Sequence, residues 1–167
     1  MKKFTFGFMF TIALMLTTLF VVGCSGGSSN IKSNREIVKL YEEGWNNKDK
    51  LNIFDDIIAT NFINHSPLME HPQPGPEGLK PIVKAIFAGF PDLHYKIIDV
   101  VYGEDKVAIR SVLTGTQTGN FFGIPPTGKK IKVNQFQVER IQNGKIVEHW
   151  RLTDDLVLMR QLGVIKN

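Results

Sequence analysis

After residue 33, hydrophobic residues in the first half of the chain follow a helical spacing. Apolar side chains recur every three or four positions, as in helices that bury one face. Residues 33–36 form a predicted capping box, and Asp49 is placed to cap a second helix. The same spacing returns over residues 77–87, after a proline-rich loop at 66–76. The pattern therefore predicts three helices, with one short extended piece at residues 62–65.

Beyond Pro91 the spacing changes to strict alternation, which is typical of strands with one buried face. The predicted strands span residues 93–101, 106–118, 131–141 and 145–153. Asn143-Gly144 suits a type I′ hairpin turn, and a short helix closes the chain after Asp154. Helices followed by an antiparallel meander predict an α+β fold, with the N-terminal helices packed on a curved antiparallel sheet. Such packing leaves a cone-shaped pocket, which is a usual place for a ligand.

The first residues have the layout of a secretory signal. Lys2 and Lys3 precede an apolar run, and no charged residue occurs between them and Lys32. Val21-Val22-Gly23-Cys24 is similar to a bacterial lipobox, in which the cysteine is acylated and becomes the first residue. The sequence thus predicts a signal peptide at residues 1–23, with lipidation at Cys24 and anchoring to a lipid bilayer. A single transmembrane anchor is the alternative, because the run is nearly long enough to span a bilayer.

A flexible tether is expected at residues 24–33, and one domain at 34–167. The chain has 20 Lys and Arg against 16 Asp and Glu, but Lys2 and Lys3 belong to the predicted signal. The remaining excess is small and forms no basic run, so we expect no nucleic-acid partner. One cysteine excludes a multi-cysteine metal site, and the four histidines lack metal-ligand spacing. We therefore expect no metal ion and no cofactor.

Seven short segments carry a more specific signal. They are FINHSP (62–67), PGPEGLK (74–80), FPDL (90–93), GT (115–116), FGIPPTGK (122–129), GKIVEHW (144–150) and QLG (161–163). Taken in order, they resemble the SnoaL-like polyketide cyclase, or ester cyclase, family. The resemblance implies the nuclear-transport-factor-2-like cone and a pocket for a small hydrophobic carbonyl compound. It also implies ring closure by intramolecular aldol condensation of a polyketide methyl ester.

The resemblance further implies an aspartate as acid/base, just after the tryptophan of the last strand. The spacing from Trp150 places it at Asp154, with Asp155 adjacent. Uninterrupted alternation puts Ile146, Glu148, Trp150, Leu152 and Asp154 on one strand face. If that face is concave, burial against Trp150 and the like charge of Glu148 make Asp154 a stronger base.

Further candidates surround this face. His65 is a candidate hydrogen-bond donor to a substrate oxygen and is included with Asp154 as catalytic. The candidate ligand-binding residues are Trp45, Trp150, Glu148, Phe122 and Gln135. The opposite face of the last strand, with Val147, His149 and Arg151, is expected to be outer surface on which a homodimer can form.

Structural interpretations of the same residues stay open. Asp154 is equally suited to cap the last helix. Glu148 is suited to pair with Arg110 or Arg140 across the sheet, and His65 to be a hydrogen-bonded pocket or core histidine. Two functions therefore remain: an enzyme of the cyclase or isomerase type, and a non-catalytic module that binds a small ligand or another protein.

Overall fold

The computed structural model describes residues 26–69 and 72–166. In chain order the elements are α1 (Gly26–Trp45), α2 (Ile53–Ile57), β1 (Ile58–Asn64), α3 (Pro76–Gly89), β2 (His94–Tyr102), β3 (Lys106–Thr116), β4 (Lys130–Gln142), β5 (Lys145–Thr153) and α4 (Asp155–Leu162). Helices precede a run of long strands, as the change of hydrophobic spacing near Pro91 predicts. The α+β class is thereby confirmed.

The five strands form one sheet in the order β1-β5-β4-β3-β2. β2 to β5 are an antiparallel meander, whereas β1 pairs with β5 in parallel. The sheet is therefore mixed, and the expectation of a purely antiparallel sheet is wrong at this edge. α3 and the strands β2 to β4 separate β1 from β5 along the chain, and a connection of this length permits parallel pairing.

Helix α1 begins at Gly26, earlier than the predicted capping box at residues 33–36. Asn34 lies inside the helix and is buried, where its amide donates to the carbonyl oxygens of Gly103 (3.5 Å) and Glu104 (3.3 Å). Residues 26–33, which the sequence assigns to a tether, are thus helical. Once the packed part of a helix exists, each further residue adds one hydrogen bond at low cost.

The core lies between the helices and one face of the sheet. Four aromatic rings meet where α1, α2 and β2 approach one another, with centroid separations of 6.0–6.3 Å. They are Tyr41, Trp45, Phe54 and Tyr95. From the other side, α3 contributes Ile82, Val83 and Ile86, which are all buried. Helix α1 therefore packs near β2 and helix α3 near β1, which are the two edge strands of the sheet.

A bulge in β5 decides which residues face this core. Ile141 of β4 pairs with Ile146 of β5, and the residue before it in β4, Arg140, pairs with Glu148. Val147 is therefore an extra residue in β5. An extra residue reverses the alternation beyond it. Ile146 and His149 are both buried, at 1% and 6% exposure, although an uninterrupted strand would place them on opposite faces.

The predicted signal and lipidation site, residues 1–23 and Cys24, lie outside the described residues. In residues 26–69 and 72–166, no helix combines the length and hydropathy needed to cross a bilayer.

Candidate functional site

A cavity opens between the helices and the concave face of the sheet. Its volume is about 80 Å³, several times the ~10–15 Å³ that one water molecule needs. Most of its lining is aliphatic or aromatic, including Leu79, Ile82 and Ile86 from α3. Polar side chains enter from β4, β5 and the start of α4. An apolar cavity with a few convergent polar groups has the composition of a small-molecule site.

Glu139 and His149 form a buried pair on the cavity wall. They are directly opposite each other in β4 and β5, with 1% and 6% exposure, and Nδ1 of His149 lies 2.7 Å from Oε1 of Glu139. Oε2 of Glu139 is buried and has no hydrogen-bond partner among the described residues. Burial raises the pKa of Glu139, while the charge and hydrogen bond of His149 oppose that rise. The pair is a carboxylate–imidazole couple with almost no exposure to bulk solvent.

Hydrogen-bond donors stand around the same end of the cavity. The Tyr95 hydroxyl accepts from Gln137 Nε2 at 2.9 Å. Trp45 Nε1 is buried without an acceptor among the described residues. Burial raises the pKa of Tyr41 well above its usual value, and the nearby Glu139 adds to the rise. Tyr41 therefore keeps its proton and can donate a hydrogen bond into the cavity.

Arg151 adds a positive charge to the cavity wall. Its guanidinium donates to Thr153 Oγ1 at 2.5 Å and to the Ser66 carbonyl oxygen at 3.4 Å. In residues 26–69 and 72–166 no carboxylate oxygen lies within 4.0 Å of it. Burial lowers the pKa of Arg151 from its usual value. The two bonded acceptors are uncharged, so the charge has no ionic partner in that part of the chain.

Asp154 does not line the cavity. It is exposed and caps α4, with Oδ1 accepting from the Val157 backbone N–H at 3.1 Å. The neighbouring Asp155 is the one that lines the cavity. The expectation that Asp154 shares a concave face with Glu148 is therefore wrong in its geometry. The bulge at Val147 causes the difference, because it turns the odd-numbered residues beyond it inward.

His65, Glu148 and Trp150 meet outside the cavity, on the outer face of the sheet. The His65 ring stacks on Trp150 at 4.5 Å, and its Nε2 lies 3.0 Å from Glu148 Oε2. Arg140 Nε donates to Glu148 Oε1 at 2.9 Å, which confirms the cross-strand pairing interpretation. Arg140, and after it His65, lower the pKa of Glu148. The bulge in β5 explains why Glu148 and Trp150 do not reach the cavity.

Trp45 and Gln135 do line the cavity, and Gln135 donates to Thr153 Oγ1 at 2.9 Å. Their role in ligand binding stays a prediction. Phe122 is 41% exposed and packs edge-on against Phe121 at 5.0 Å. Phe121, rather than Phe122, reaches the cavity lining.

The outer face of the sheet differs from its expected composition. His149 and Arg151, which the alternation placed there, line the cavity instead. Phe136 and Leu152 lie opposite each other on the outer face, at 56% and 75% exposure. A homodimer through this face stays a prediction.

Sequence reasoning missed Glu139, His149 and Arg151. For Glu139 a signal existed: it continues the alternation of Ile131 and Val133, so it belongs to the core face of β4. His149 then follows as its cross-strand partner, once the bulge is known. No feature of the sequence alone locates that bulge.

Comparison with known proteins agrees with this architecture. The family model for SnoaL-like polyketide cyclases matches residues 35–162. The aklanonic acid methyl ester cyclase DnrD of Streptomyces peucetius is 29% identical over 138 residues, covering 81% of this chain and 92% of the cyclase. The nogalonic acid methyl ester cyclase of Streptomyces nogalater is 28% identical over 111 residues, covering 65% and 82%.

The structure of TsrD from Streptomyces laurentii superimposes with a TM-score of 0.73 at 26% identity, covering 80% of this chain and 97% of that one. The fold, the cavity and the matched segment lead to one conclusion: the chain belongs to the SnoaL-like polyketide cyclase family.

Proposed function

We propose that the domain binds a small apolar carbonyl compound in its cavity and moves a proton on it, as in an aldol ring closure or an isomerisation. The buried Glu139–His149 pair on the cavity wall is the observation that carries this proposal. The cyclases of Streptomyces named above are, by their names, ester cyclases. Ring closure of that type requires a base to remove a proton next to a carbonyl group.

In the proposed reaction, His149 is the base and Glu139 orients it. With the carboxylate ionised, the Nδ1–H of His149 donates to Glu139, which leaves Nε2 to take the proton from carbon. The carboxylate then stabilises the imidazolium that forms. The enolate oxygen accepts hydrogen bonds from donors at this end of the cavity, such as Trp45 Nε1. After carbon–carbon bond formation, His149 returns its proton to the new alkoxide.

Proton exchange provides the assay. The full chain is expected to accelerate α-proton exchange of ethyl 2-methylacetoacetate in D₂O, followed by ¹H NMR, because a positioned acid/base typically contributes about 10²–10⁴-fold.

A non-catalytic binding module is the second candidate, favoured by the largely apolar lining. Binding of the probe without faster exchange supports that candidate and contradicts the enzyme proposal.

Asp154 remains the competing acid/base, and two substitutions separate its capping role from a catalytic one. Asp154→Ala is expected to lower the free energy of unfolding by about 1 kcal/mol, because the cap to Val157 is lost. Asp154→Asn keeps a good cap, and we expect both stability and proton exchange to stay near wild type. Urea unfolding and the exchange assay measure the two effects. A large loss of exchange in Asp154→Asn, with stability retained, assigns the acid/base to Asp154.

We also propose that Cys24 carries a lipid that tethers the domain to a membrane. The lipobox-like Val21-Val22-Gly23-Cys24 after an apolar run supports this. Cys24→Ser is expected to abolish acylation and signal cleavage in a bacterial host, as measured by the intact mass of the protein. Normal cleavage at the same bond in Cys24→Ser contradicts the proposal.

A further inference from the structure

The charge distribution of the cavity narrows the choice of ligand. Glu139 has His149 as its partner at 2.7 Å, so the charge of this carboxylate already has a neighbour on the cavity wall. Arg151 enters the same cavity two residues further along β5, and within residues 26–69 and 72–166 its guanidinium donates to the neutral oxygens of Thr153 and Ser66. A guanidinium has five N–H donors, so several remain for a ligand.

We infer that the cavity holds a small apolar molecule with a free carboxylate, and that Arg151 binds the carboxylate group. This ligand class deepens the proposed function and rests on it for the location of the site. The planar guanidinium matches a carboxylate with two parallel hydrogen bonds, which a neutral ester cannot reproduce. The aliphatic and aromatic lining accommodates the rest of the molecule.

The geometry links this binding group to the proposed acid/base. Arg151 and His149 are two residues apart on the same face of β5, which corresponds to roughly 6.6 Å of strand rise. A carboxylate held by Arg151 therefore leaves the body of the ligand to extend toward His149. When a carbonyl compound is bound in this way, the carbon that it presents to His149 lies several bonds away from its carboxylate.

Burial makes this arrangement favourable for an anion. Burial is the largest cause that lowers the pKa of Arg151, because it removes part of the hydration of the guanidinium, while the charges of Tyr41 and Asp155 oppose that shift. An ionised ligand adds a charge partner in direct contact with the guanidinium. Asp155 also lines the cavity, but it is exposed to solvent and its oxygens are beyond 4.0 Å from the guanidinium.

The test compares binding of 3-phenylpropanoate and its methyl ester to the purified full chain by isothermal titration calorimetry at pH 7. We expect the acid to bind about 10- to 100-fold more tightly than the ester, because hydrogen bonds to charged groups are the stronger ones. In Arg151→Gln this preference is expected to vanish while ester affinity stays within a few-fold. Arg151→Lys keeps the charge without the planar fork and is expected to retain part of the preference.

Arg160→Gln is the matched control, since it removes an exposed arginine from α4 and is expected to leave the preference unchanged. Equal binding of acid and ester to the wild type, or binding of neither, overturns the inference. So does a preference that survives in Arg151→Gln. None of these outcomes depends on turnover, so the proton-transfer proposal succeeds or fails separately in the exchange assay.

Discussion

Glu139→Gln is expected to slow α-proton exchange of ethyl 2-methylacetoacetate by about 10²–10⁴-fold, because His149 acts as a positioned acid/base only with the Glu139 carboxylate beside it. The amide is nearly isosteric with the carboxyl group, so the strand pairing and the cavity are expected to persist. It cannot stabilise an imidazolium at His149, however, because it carries no charge. The loss is therefore expected in the rate at saturating probe rather than in the affinity for the probe.

Glu148→Gln is the control for this experiment. Glu148 lies in the neighbouring strand β5, but on the outer face, where it contacts Arg140 and His65. The same chemical change there is expected to leave exchange within about twofold of wild type. If both variants lose exchange equally, or if neither does, the catalytic assignment of the Glu139–His149 pair is wrong.

Phe54→Ala is expected to lower the free energy of unfolding by about 3–5 kcal/mol, the range for a buried phenylalanine. Phe54 is 0% exposed and lies 6.3 Å from both Tyr41 and Trp45, measured between ring centroids. A Cβ atom at Gly44 would lie only 2.8 Å from its ring, which shows how closely α1 approaches. Truncation therefore leaves a void where α1 and α2 meet, and it removes support from two cavity-lining residues.

Urea unfolding of the full chain measures this effect, with Phe136→Ala as the control. Phe136 is 56% exposed on the outer face, so its truncation is expected to cost at most about 1 kcal/mol. Equal losses in the two variants contradict the placement of the core between the helices and the concave face of the sheet.

The sequence predicts most of the fold because the local patterns and the tertiary packing agree. The β4–β5 turn is an example: Asn143 and Gly144 have φ values of 51° and 72°, as the predicted type I′ turn requires. β1 is a counterexample. Its pairing with β5 joins segments that are far apart in sequence, and no local pattern specifies that contact.

The site is predicted less well, for one physical reason. Alternation is a reliable guide on β4, where it places Gln135 on the cavity wall. On β5 the extra residue Val147 exchanges the two faces, so Glu148 and Trp150 lie outside while His149 and Arg151 lie inside. A change of one residue in register reverses every side chain beyond it. Strand assignment alone therefore cannot determine the acid/base.

The proton position on the His149 ring tests the central claim most directly. A long-range ¹H–¹⁵N NMR spectrum at pH 7 reports which ring nitrogen is protonated. The same spectrum of Glu139→Gln shows whether that proton position depends on the Glu139 carboxylate. We predict that Nδ1 carries a proton donated to Glu139, and that its signal changes in Glu139→Gln. A neutral ring with a bare Nδ1 and its only proton on Nε2, unchanged by the substitution, would contradict the account.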